Sequence, residues 1–170
     1  MSKTLVAAPA QGENARDIVG WYTLAAAAKG AFPVPAASVA IVANNGFMIA
    51  HISSIYASEI TWENVMASLG VAGTLNMAGR TVFIEAAKTL AWGSGSVWAL
   101  AGLSVVGAAT AGLQTYIVGQ IAIKIAQKSG KALTPKEAKG LISHAKKTYK
   151  NFLGEMKGRD LDDPGEPVNA

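Results

Sequence analysis

Charged side chains are confined to a few short stretches of this chain, and the intervals between them define its elements. Thr89 to Ile123 runs 35 residues without a charge, closed by Lys88 and Lys124. A second interval of 29 residues lies between Lys29 and Glu59, and a third, of 16, covers residues 64–79. No stretch keeps the strict alternation of a half-buried strand; apolar residues recur at helical spacing instead. A helix needs about 20 apolar residues to cross a bilayer core. The first two intervals are long enough for that.

Punctuation divides the pattern into helices. Residues 1–12 read as a flexible lead, and a first helix is expected to start near Glu13–Asn14. The Pro33-Val34-Pro35 corner stops it, because proline disfavours helix at the residue before it. A second helix is expected over 36–57, with Asn44-Asn45 at its centre facing a neighbouring helix, since lipid-exposed Asn is costly. Thr61 is the expected N-cap of a third, over 62–79, with Glu63 in its first turn. A more polar helix follows over 80–92, and Gly93-Ser94-Gly95-Ser96 is the clearest break. The long helix then runs over 97–128. Thr134-Pro135-Lys136-Glu137 gives a capping box for a last helix, 135–157. The expected fold is all-α, a single helical domain over 13–157. The apolar hairpin 36–57/62–79 packs on the long helix, and the basic helix lies across one end. Residues 158–170 read as an acidic, disordered tail.

The long helix carries small residues on one face. Ala101, Ser104, Ala108, Ala111, Thr115 and Gly119 recur at helical spacing, and Ala122 and Ala126 continue the row. Such a seam lets another backbone come close. Small residues also make membrane insertion marginal, because Ala and Gly add little hydrophobic drive. A central packing helix of a membrane-embedded bundle and one of a soluble bundle both fit, and both readings stay open.

Composition adds two constraints. Of the 170 residues 51% are hydrophobic and only 15% charged, against roughly 25% charged in average globular chains. There is no cysteine, which excludes disulfides, thiolate metal sites and a cysteine nucleophile. The net charge of +4 is unevenly laid out. Residues 1–123 hold five basic and five acidic side chains, 124–159 hold ten and two, and 160–170 add four acids. Lys136, Lys139, Lys146, Lys147 and Lys150 fill the face of the last helix opposite Ala138, Leu141, Ile142, Ala145, Tyr149, Phe152, Leu153 and Met156. A basic amphipathic face of this kind suits anionic lipid or a protein partner, and equally the solvated face of a docked helix. It has no arginine and no aromatic interleaving, so nucleic acid is not expected.

Candidate chemistry is thin. His51 and His144 lie on different elements, and two ligands are too few for a metal site. Glu59 and Glu63 flank a helix start, where capping explains them. The GSGS turn lacks the lysine of a phosphate loop. No catalytic residue, metal site or cofactor is expected, and no secretory pattern opens the chain.

The Ala25-to-Ala28 run, the Pro33-Val34-Pro35 corner, the amides Asn44 and Asn45, and the ending His51-Ile52-Ser53-Ser54-Ile55-Tyr56 resemble the YcjF-like family. Gly70, Gly73 and Thr110-Ala111-Gly112 extend the likeness, which covers roughly residues 15–128. That family consists of bacterial helical domains found as membrane proteins, or fused behind or encoded beside Era-like GTPase domains. The chain departs from it at Ala36-Ala37-Ser38, where an Asp is common, and at Ala57, where the family has Gly. The resemblance implies a GTPase as partner and transfers no catalytic residue. The expected function is a non-enzymatic, membrane-associated helical module that binds or anchors a partner protein, with the basic helix on the cytoplasmic side. A self-assembling scaffold or pore-like oligomer, paired through the small-residue seam, is the alternative.

Overall fold

A computed structural model describes residues 7–31, 37–71 and 97–166. The described residues form five helices with no strand: α1 (Ala7–Ala31), α2 (Ala37–Tyr56), α3 (Trp62–Val71), α4 (Val97–Gln127) and α5 (Pro135–Lys157). The Pro-x-Pro corner, the polar helix expected over 80–92 and the GSGS break lie outside the described residues. So does the part of the third helix beyond Val71.

The lead expected over residues 1–12 is shorter than that, because α1 already begins at Ala7. Ala7, Ala8 and Ala10 favour helix. Pro9 falls in the first turn, where a missing N–H costs nothing. Three alanines and a proline thus extend the helix across a stretch that looks like a linker.

The centre of the molecule is an antiparallel pair, α1 and α4. A Cβ placed on Gly119 would come within 2.6 Å of Val19, one on Gly112 within 3.3 Å of Ala27, and one on Gly30 within 2.6 Å of the Gly107 carbonyl. Glycine at 119 and 30 sets how closely the two backbones run, while a side chain at Gly112 would first strike the Tyr149 hydroxyl of α5. The expected seam is at this contact: Ala111, Thr115, Gly119, Ala122 and Ala126 are buried and Ala108 is half-buried. The side chains of Ala101 and Ser104 lie outside the described ones.

The other helices pack around this pair. α2 lies antiparallel to α1 and also touches α4, α5 packs on α4 and α1, and α3 packs on α4 and α5. The main core gathers Val19, Met48, Ile52, Ile117, Ile121, Ile125 and Met156, each essentially inaccessible to solvent. α1 reaches α2 through Tyr22 and Lys29, and faces α5 through Arg16 and Gly20. On α4, Thr115 meets α2 while Tyr116 meets α5. α2 and α5 therefore meet different faces of the central pair.

The ends of α2 and α4 are tight left-handed turns. Ala57 has φ 46°, with Ser58 N–H donating to Ser53 O at 3.1 Å, the bond that closes a Schellman motif. At the same end of the bundle Gly130, at φ 81°, passes so close to the Glu59 carbonyl that a side chain there would meet it at 2.6 Å. The C-terminal stretch is not the disordered tail its charge suggests, at least as far as Glu166. Arg159 pairs with Asp17 at 3.2 Å. Leu161 packs on the main core, and Pro164 O accepts a hydrogen bond from His51. An ion pair, one leucine and one carbonyl tie down a segment that composition alone marks as solvated.

Candidate anion-binding interface

Helix α5 is positioned by its first turn. Thr134 Oγ1 accepts from the Glu137 N–H, and the Glu137 carboxylate accepts from the Thr134 N–H at 2.8 Å, completing the capping box. Lys128, at the end of the preceding turn, donates to both carboxylate oxygens at 2.9 Å. These partners, Lys128 first and then the Thr134 bonds, hold the Glu137 carboxyl down at about 2. Ala138, Ile142, Ala145, Phe152 and Met156 then bury one face against α4 and α1.

The opposite face is basic. Lys136, Lys139, Lys146, Lys147, Lys150 and Lys157 are all exposed. At 3.6 residues per turn they fall within an arc of about 100°. Only two acids lie on this helix, and both are engaged at its flanks. Glu137 is held by Lys128. Glu155 is held by Arg16 at 2.6 Å, with Arg159 at 3.7 Å. Among the described residues none of the six lysines has an ion-pair partner. The pairs at Glu155 are about 40% exposed, so they add little to stability, but they leave the lysine face without an opposing charge. Lys157 was missed in the sequence, since it sits at the end of the helix beyond the last core residue.

The polar residues inside the apolar helices are structural. Asn45 Oδ1 accepts from Thr115 at 2.8 Å, tying α2 to α4. Asn44 accepts from Lys29 at 2.7 Å and donates to Tyr22 O at 3.0 Å, tying α2 to α1. Burial pushes the Lys29 amine below its usual range. His51 places Nε2 3.2 Å from Pro164 O. Its Nδ1 lies 3.0 Å from both the Tyr22 hydroxyl and the Phe47 carbonyl. Burial first, and then the nearby Asp163 carboxylate, push the Tyr22 hydroxyl up to about 12. The histidine thus joins α1, α2 and the C-terminal segment.

His144 is exposed on the rim of a groove of about 460 Å³ between α1, α4 and α5, with Gln120, Gln127 and Asn151 near it. Among the described residues no three His, Asp or Glu side chains are placed to hold a metal. Two helical segments are long and apolar enough to cross a membrane, Val39–Tyr56 and Val106–Gln127, with mean hydropathies of 1.3 and 1.2. More than half of the second is buried inside the bundle, but only a third of the first. No family model matches the chain, and no curated protein and no solved structure matches it either.

Proposed function

We propose that this protein is a non-enzymatic helical module that sits on an anionic membrane surface through α5 and offers the rest of the bundle to a protein partner. One observation supports the reading above all: six lysines share one face of α5 and the helix's own two acids are occupied elsewhere. Each basic side chain near such a surface contributes about 1 kcal/mol, so six together suffice for reversible attachment. The cytoplasmic leaflet carries the anionic lipid, which favours the cytoplasmic side for α5. An Era-like GTPase as the partner is proposed on the resemblance alone.

Flotation with phosphatidylcholine vesicles, with and without phosphatidylserine, tests the attachment. The protein should float with the anionic vesicles only. It should be released as salt approaches about 1 M, where the Debye length falls to about 3 Å. Lys139→Glu/Lys146→Glu/Lys150→Glu should stay in the soluble fraction. Equal flotation with neutral vesicles, or flotation unaffected by the triple reversal, would count against α5 as the contact. The two apolar segments support a second reading, insertion of α2 and α4. It requires release by detergent and not by salt.

A further inference from the structure

The groove between α1, α4 and α5 is lined by polar side chains that bind nothing inside the bundle. Gln120 and Gln127 come from α4, His144 and Asn151 from α5. Gln120 is half-buried and the other three are exposed. Among the described residues none of these four side chains makes a hydrogen bond. Their neighbours do. The Tyr116 hydroxyl and Thr148 Oγ1, in the same groove, bond to each other at 3.2 Å. Arg16 of α1 bridges to Glu155 of α5 at 2.6 Å. That bridge spans the two walls and closes one end, so what enters is short. The space of about 460 Å³ falls in the range of roughly 300–1,000 Å³ in which small molecules bind.

The chemistry selects the occupant. Among the described residues that line the groove, only Arg16 and Glu155 carry full charges, and they neutralise each other. A site for an anion would present donors alone, and one for a cation acceptors alone. Each of the three amides presents both. Hydroxyl groups also donate and accept, so a neutral polyol can pair with every one of them. Ile123 and Tyr56, both half-buried, offer an apolar strip to the C–H face of a ring. Positive charge begins one turn away. Lys147 follows His144 by three residues and precedes Asn151 by four, so its Cβ stands about 5–6 Å from theirs. Lys147 is exposed at the border of the lysine face, where it can take a phosphate carried on the edge of such a ring.

We propose that this groove seats the polyhydroxyl ring of a phosphate-bearing polyol, supplied by an inositol-type lipid headgroup, with the phosphate on Lys147. The proposal rests on the reading of α5 as the membrane contact and adds to it a choice among anionic lipids.

Flotation of the full chain with phosphatidylcholine vesicles, carrying either phosphatidylinositol or phosphatidylserine at matched surface charge, tests that choice. Half-maximal flotation should need about tenfold less of the inositol lipid, the contribution of one to two ordinary hydrogen bonds. His144→Ala/Asn151→Ala should erase the preference. Both positions are exposed, so its circular dichroism and melting should match the wild type. In solution, glycerophosphoinositol should shift the side-chain amide resonances of Gln120 and Asn151, and glycerophosphoserine should not. Equal flotation with both anionic vesicles overturns the proposal and leaves the α5 reading standing. A preference that survives the double variant overturns the groove as its source, and equal shifts from glycerophosphoserine overturn the polyol. Flotation with neither vesicle ends the α5 reading. Amide shifts from glycerophosphoinositol would then overturn the lipid source and assign the groove to a free polyol phosphate, and their absence would overturn the proposal whole.

Discussion

Ala57 shows what a single position carries. It ends α2 at φ 46°, a region where the Cβ of an L-residue crowds the following carbonyl and costs roughly 1–2 kcal/mol. Ala57→Gly removes that cost and adds back some unfolded-chain entropy, so stability should rise by up to about 1 kcal/mol. Urea unfolding checks it, and a fall in midpoint would mean the turn is not left-handed in solution. The position was visible in the sequence as a departure from glycine, but the backbone angle that makes the departure costly was not. Gly30 and Gly107 escaped notice altogether, and Gly112 stood out only within Thr110-Ala111-Gly112. A glycine at a helix contact is defined by what lies across from it, and Gly107 matters only because α1 passes there.

At the level of elements, the punctuation was legible. The cap at Thr134 and the span of α5 follow from interactions three residues apart, so they can be read without knowing the fold. The start of α1 cannot, because Ala7 to Ala10 suit helix and linker equally. The buried role of Asn44 and Asn45 was legible in kind, while the partners Lys29, Tyr22 and Thr115 were not. α5 also carries a pH signature. The Glu137 carboxyl is depressed from 4.5 to about 2 in the folded protein. A depressed folded value means the contribution is complete above the unfolded value and disappears as pH falls through the folded one. The melting-temperature gap between the wild type and Glu137→Gln should therefore be constant near neutrality, narrow between pH 4.5 and 2, and close at the acid end. A gap that does not change over that window would remove Lys128 and Thr134 as the cause.

At the scale of the whole molecule, α2 and α4 are apolar all round, so no stripe on either says which neighbour it takes. The sequence therefore marks an all-helical bundle and a seam on α4, but not that α1 meets that seam at Ala111 and Gly119 or that α2 and α5 meet different faces of the pair. The C-terminal segment was misread for a related reason: charge density dominates its composition, whereas Leu161, lodged beside Gly20, fixes its path. Leu161→Ser should cost about 1–2 kcal/mol and speed hydrogen exchange over residues 159–166 without altering α5. Unchanged exchange there would show that the ion pair at Asp17 holds the segment by itself.

The lysines of α5 have one more consequence. From Lys136 to Lys157 the helix rises about 32 Å, so its six amines stand on average closer together than the Debye length of about 10 Å at 0.1 M salt. A partner at that distance meets a line of charge and not six separate points. Such a line has no register. It tolerates the loss of any single member, lets the bound surface slide beneath it, and responds to ionic strength as a unit.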